Sequence, residues 1–198
     1  MTTTPRTRLS PEQRREQLLE LGVRLLATRS LDELSIDLLA EEAGISRGLL
    51  YHYFGSKQDF HEAVVRRAAD DLIEQTTPPE GGDPLVRLMT SVTAYVDYVI
   101  ANHEGYVSLV KAAAGGNESL RAIYEEARDG LNSRVFREDA QGAIIADTPA
   151  ARLVVRGWSA MTEELVLSWI DDPRGVTREQ LLEIVAISLP AVIAIIPA

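Results

Sequence analysis

Apolar positions along the chain recur every three to four residues, and no stretch sustains the apolar-polar alternation of a strand bounded by hairpin turns, so the pattern predicts helices throughout. Ser10-Pro11-Glu12-Gln13 opens the first with a capping serine, a proline in the first turn and a glutamine three residues after the cap. Leu18, Leu21, Leu25 and Leu26 follow at helical spacing, which extends this helix over 11–28. Ser35 caps a short second helix, Ile36 to Ala43, and Ser46 caps a third, Arg47 to Tyr53. Ser56, with Asp59 three residues on, caps a fourth that runs to about Gln75. The strong breaker run, Thr76-Thr77-Pro78-Pro79-Glu80-Gly81-Gly82, comes next, and Asp83-Pro84 restarts a helix behind it. Five further helices are predicted over roughly 84–102, 104–114, 118–139, 149–170 and 177–196. The chain is expected to be all-α, with a three-helix helix-turn-helix domain over residues 1–57 and a helical bundle over 58–198. The helix at 57–75 connects them, and the boundary falls in it or at the breaker run.

The 198 residues are 45% hydrophobic, enough to bury a core, and contain no cysteine, which excludes disulfides, thiolate metal sites and a cysteine nucleophile. Neither MTTTPRTRLS nor the 15 uncharged residues from Ile184, interrupted by Pro190, read as a secretory signal or a membrane span. A cytoplasmic protein is expected. The net charge of -10 does not argue against DNA, because it is unevenly placed. Residues 1–57 carry 8 basic and 8 acidic side chains, whereas residues 58–198 carry 12 and 22.

The opening segment holds the chemistry. Gly44 stands where the turn between two short helices needs a left-handed residue, and Ala40 is small enough for the next helix to pack close. Ile45, Leu50 and Phe54 are spaced to join Leu39 and Ala43 in a shared core, a helix-turn-helix pattern. Arg47, Gly48, Leu49, Tyr51, His52 and Tyr53 then fall on the faces able to enter a major groove. Arg47 can present its fork to guanine O6 and N7, Gly48 allows close backbone approach, and Leu49 can meet a thymine methyl. Ser35 and Ser46 can direct hydroxyls and backbone N–H groups at phosphate, and Lys57 adds a charge. Tyr51, His52 and Tyr53 can reach phosphate or base edges, and Arg6 and Arg8 can reach the minor groove or backbone.

With those residues, LSIDLLAEEAGISRGLLYHYFGSKQDFHEAV resembles the DNA-binding domain of TetR-family (TetR/AcrR) transcriptional regulators over about residues 10–65. Leu49 replaces a small hydroxyl residue often found in that family, and Tyr53 a histidine. The resemblance implies a homodimer that binds a palindromic double-stranded DNA operator and responds to a small-molecule effector, with a repressor the expected sense. It places the effector among Tyr95, Tyr98, Tyr106, Tyr124, Trp158, Met161 and Trp169. Dimerisation has its own signal, because the last helix is apolar around nearly its whole circumference. Val155, Thr162, Val166 and Ile170 on the preceding helix, with Leu182, Val185, Leu189 and Val192 on the last, are the expected partner face of a four-helix interface.

No cofactor and no metal are expected. His61-Glu62 and His103-Glu104 lack a second histidine four residues on, and no phosphate-binding fingerprint is present. Two rival readings are a DNA-binding dimer with a filled regulatory core, and a helical enzyme using Glu163, Glu164, His103 or Asp97. The second lacks a nucleophile or metal constellation.

Overall fold

The computed structural model describes residues 10–138 and 145–196, and all its regular elements there are helices. They are α1 (Pro11–Leu26), α2 (Ile36–Ala43), α3 (Arg47–Phe54), α4 (Lys57–Gln75), α5 (Pro84–Ala101), α6 (His103–Ala114), α7 (Glu118–Glu138), α8 (Pro149–Asp171) and α9 (Arg178–Ile193). Arg6 and Arg8 lie outside the described residues.

Local chemistry sets the boundaries. The Ser10 hydroxyl accepts from the Gln13 amide while the Gln13 side chain accepts from the Ser10 amide, which closes the capping box. Ser35, Ser46 and Ser56 cap α2, α3 and α4 in the same way, accepting from the amides of Leu38, Leu49 and Asp59. Gly44 ends α2 at φ 63° and ψ 37°, a left-handed turn, and the Ile45 amide then reaches the Ala40 carbonyl at 3.0 Å. An added Cβ at Gly44 would meet nothing within 4 Å, so backbone conformation rather than crowding calls for glycine there.

One buried cluster joins α1 to α4 through Leu18, Leu25, Leu34, Leu39, Leu50, Phe54, Phe60 and Val64. The rings of Phe54 and Phe60 meet edge to face at 5.2 Å, locking the recognition helix onto α4. Leu120 and Ile123 of α7 complete this cluster, so the N-terminal core continues into the C-terminal helices. The remaining apolar layers lie where α5 packs between α7 and the α8–α9 pair, around Val92 with Trp158 and around Val96 and Val99 with Val166.

The helices expected to meet a partner turn the other way. Val155, Val166, Val185 and Leu189 are at most 2% exposed, and Thr162 is nearly as buried, all inside their own protomer. Ile170 and Leu182 pack against the Val96–Val99 layer and Val192 against the Val92–Trp158 layer. Val166, Val185 and Leu189 turn inward to the valines of α5, and Val155 turns to Val135 and Phe136 of α7. The apolar surface left in solvent is a different one, Leu153 and Met161 on α8 with Ile184 and Ile187 on α9 and Ile195 just beyond it. Gly157 lies between Leu153 and Met161, and an added Cβ there would meet nothing within 4 Å.

Candidate nucleic-acid interface and effector cavity

Helix α3 presents Arg47, Gly48, Tyr51 and His52 to solvent, while Leu50 and Phe54 anchor its other side. Leu49 is half-buried. Tyr53 is half-buried too and packs against the helix-turn-helix core, its ring edge to face with His52 at 5.5 Å. Of the three consecutive aromatics, Tyr51 and His52 are therefore the free ones. The Ser35 and Ser46 hydroxyls are occupied as caps, Ser46 at the exposed start of α3. Lys57 is exposed at the first position of α4. Two neighbours were not legible in the motif. The Arg47 guanidinium is paired with the Asp37 carboxylate across the α2–α3 corner, and Arg15 of α1 lies 5.2 Å over the Phe54 ring. Asp37 in the first turn of α2 was the available signal, since an acidic residue there also favours the helix N-terminus.

A cavity of about 100 Å³ lies between α5, α7 and α8 and reaches the end of α4. Tyr95, Tyr106 and Trp158 are on its wall, with Leu88, Val92, Leu131 and Val135 giving it an apolar lining. Tyr98 and Tyr124 instead line a second cavity of about 50 Å³, between α1 and α4 on one side and α5, α6 and α7 on the other. Tyr98 turns toward α4 and donates to the Ala68 carbonyl at 2.8 Å. Met161 lines neither cavity, being on the solvent face of α8, and Trp169 donates to the Val176 carbonyl in the loop before α9.

Polar groups hold the wall between the cavities. The Tyr124 hydroxyl donates to Glu163 at 2.7 Å and the Tyr106 hydroxyl at 3.1 Å, and Tyr95 and Tyr106 share a hydroxyl contact at 2.9 Å. Burial, reinforced by the Glu163 charge, pushes the Tyr95 hydroxyl far above its ordinary range, and burial does the same at Tyr106 and Tyr124. All three stay protonated, so the carboxylate keeps its donors. Arg128 lies 5.3 Å over the Tyr124 ring. Glu163, offered by the sequence only to the rival enzyme, and Thr162, expected on the partner face, are thus cavity residues.

The first cavity is bonded to the end of α4. Buried Arg134 donates to the Thr76 hydroxyl at 2.9 Å and the Ile73 carbonyl at 2.7 Å, while Ser91 donates to the Thr76 carbonyl at 2.8 Å. Thr76, Ser91 and Arg134 all line that cavity. Helix α6 makes a second link. An added Cβ at Gly105 would stand 2.4 Å from the Leu26 carbonyl oxygen, so α6 rests directly on the end of α1, and Ser108 accepts from the Leu31 amide at 2.8 Å. No group of three metal-ligating side chains occurs among the described residues, and no described helix is long and apolar enough to cross a membrane.

Residues 18–64 match the family model for bacterial regulatory proteins of the tetR family, and residues 84–188 match that for the tetracyclin repressor-like C-terminal domain. A TetR-family regulator from Streptomyces coelicolor has a crystal structure that superposes with a TM-score of 0.83 at 32% identity, covering 94% of this chain and 83% of that one. The transcriptional activator FasR of Mycolicibacterium smegmatis is 24% identical over 182 residues, 89% of this chain and 81% of FasR. The transcriptional repressor KstR2 of the same organism is 40% identical over 68 residues, 34% of this chain and 33% of KstR2. With both halves matched by family models and the fold shared with a solved TetR-family structure, the chain belongs to the TetR family of transcriptional regulators, DNA-binding proteins rather than enzymes.

Proposed function

We propose that this protein is a cytoplasmic, ligand-responsive repressor that binds a palindromic operator as a homodimer and leaves it when an effector fills the first cavity. The observation that carries this reading is the hydrogen-bonded link from the cavity wall, through Arg134 and Thr76, to the end of the helix whose start is locked beneath α3. Residues 1–57 act as the reading head and 58–198 as the sensor and dimer platform. Arg47, Tyr51 and His52 enter the major groove with Gly48 and Leu49, and Ser35, Ser46, Tyr53 and Lys57 lie toward phosphate. The partner covers Leu153, Gly157, Met161, Ile184 and Ile187, which sets the two α3 helices about 34–36 Å apart, one turn of duplex, or somewhat more. An effector acts only if it binds the DNA-bound and released forms differently.

The test begins with an operator selected from random duplexes by the purified protein. Arg47→Ala is expected to relax base preference, whereas Lys57→Ala weakens all sequences and lowers the salt slope by about one. Equal loss by Arg47→Ala on selected and scrambled DNA removes it as a base reader. A screen of small apolar and aromatic compounds is expected to yield ligands that raise thermal stability and release the operator. If tight binders leave operator affinity untouched, the effector reading fails for them.

A further inference from the structure

The two cavities share three wall residues, Tyr106, Arg128 and Leu131. We propose that they are two compartments of one site, built for an unbranched alkyl chain with an uncharged hydrogen-bonding head, and that the chain end acts directly on the α1–α4 contact. This rests on the reading of the first cavity as the effector site.

The head belongs in the first compartment. Thr162 is 4% exposed, lines that cavity, and its hydroxyl has no hydrogen-bond partner. A buried hydroxyl without a partner is costly, and a ligand hydroxyl, ester or amide would satisfy it. The polar side chains that line only the second compartment are already engaged, Tyr98 with the Ala68 carbonyl, Asn102 with the Tyr98 carbonyl and Tyr124 with Glu163. The head is uncharged because the walls carry both signs: Glu163 opposes an anion, while Arg128 and Arg134 oppose a cation.

The tail belongs in the second compartment. Its wall is almost wholly apolar, with Val23, Leu26, Ala27, Val65, Ala69 and Leu109 among its residues. Joining the compartments requires a neck past Leu131 and Tyr106, which stand on both walls, and a flexible chain would pass it more readily than a ring. Together the compartments offer about 150 Å³. A cavity of about that volume holds benzene, so the joined site takes roughly six to eight heavy atoms. A tail that far in touches α1 and α4 at once, whereas a ligand confined to the first compartment touches neither the α1 wall nor the middle of α4. Occupying the first compartment alone should stabilise the protein and release DNA only weakly, through the Thr76 link, whereas a tail in the second adds a direct contact with α1 and α4.

The test uses the full-length protein, the selected operator and the n-alkanols from 1-butanol to 1-decanol. Binding is followed by tryptophan fluorescence, to which Trp158 on the wall contributes, and by melting temperature; release is followed by anisotropy of labelled DNA. Wild type is expected to gain roughly fourfold in affinity per methylene up to a cut-off at about five to seven carbons. Short alkanols should raise melting with weak release, and release at saturation should rise steeply with chains that reach the second compartment. Ala127→Leu, which fills that compartment, is expected to shorten the cut-off by about two carbons, and Leu131→Ala, which opens the neck, to lengthen it. Either variant suffices if the other fails to fold. Thr162→Val should weaken every alkanol roughly five- to tenfold without moving the cut-off. An identical cut-off in wild type and the folded variants overturns the inference while leaving the first cavity as an effector site. No saturable binding by any alkanol overturns the ligand class, and the broader effector reading is then judged by its own screen.

Discussion

Gly105→Ala should separate the two halves of the molecule at the point where they touch by backbone. The added methyl would stand 2.4 Å from the Leu26 carbonyl oxygen and 2.6 Å from Leu26 Cγ, against ordinary contact at 3.4–4 Å. Leu26 ends α1 and its carbonyl cannot rotate away, so α6 must retreat by about 1 Å or α1 must bend. Overpacking of this kind costs about 1–3 kcal/mol. Alanine recovers up to ~1 kcal/mol in a helix interior, and less at the third residue of α6, which leaves a net loss of ~1–2 kcal/mol. At ~2–4 °C per kcal/mol for a chain of this size, the melting temperature should fall by about 2–8 °C. Ser108 lies on the same helix, so its bond to the Leu31 amide, now 2.8 Å, should lengthen and that amide should lose protection from hydrogen exchange. The assay is calorimetry at fixed protein concentration with exchange read at Leu31. Unchanged melting with unchanged exchange would refute a rigid α6–α1 contact.

Three other outcomes are expected. Ile187→Glu, on the exposed face of α9, should convert the dimer to a helical monomer by light scattering, and Gly157→Ala should weaken it by preventing close approach; a dimer that survives both would place the partner elsewhere. Burial lowers the pKa of His61, whose Nε2 donates to the Leu34 carbonyl at 2.6 Å, so the fold prefers neutral imidazole and the unfolded chain takes up the proton first. Its contribution is complete above about pH 6.5 and is lost as pH falls from there through the folded pKa, and chemical denaturation of His61→Gln between pH 7 and 5 should lack that part of the slope. Asp37→Asn releases the Arg47 fork and removes a negative charge beside α3, so duplex affinity should rise severalfold by anisotropy; weaker binding would mean that Asp37 holds Arg47 in its reading pose.

Local signals were legible in the sequence and distant ones were not. Ser10, Ser35, Ser46 and Ser56 cap helices through atoms within three residues, and the turn at Gly44 depends on its own φ, so each could be placed without tertiary knowledge. The inward faces of α8 and α9 could not. A helix apolar on nearly every side carries no direction of its own, and the choice was made by Val92, Val96 and Val99 of α5 together with Val135 and Phe136 of α7. The tyrosines divided for a similar reason. Tyr95 and Tyr98 are three residues apart on one helix, near enough to share a face in sequence, yet one reaches the first cavity and the other reaches the Ala68 carbonyl. Glu163 acquired its role only from the hydroxyls that α6 and α7 bring to it.

Consecutive residues of α6 connect these parts. Tyr106 stands on the wall common to both cavities and Gly105 rests on α1, so a change felt at the first is carried to the second by one rigid turn of helix. Helix α4 offers a parallel route through Thr76, which ends in hydrogen bonds that can re-form after a small shift, whereas at Gly105 the helices lie too close for a Cβ to fit between them. On the proposed function, an effector that prefers one α6 position selects an α1 position, and the usual coupling of about 1–3 kcal/mol corresponds to about 5- to 150-fold in affinity. Under that proposal the coupling is reciprocal: if the effector releases the operator, operator DNA that holds α1 in its bound position weakens effector binding by the same factor.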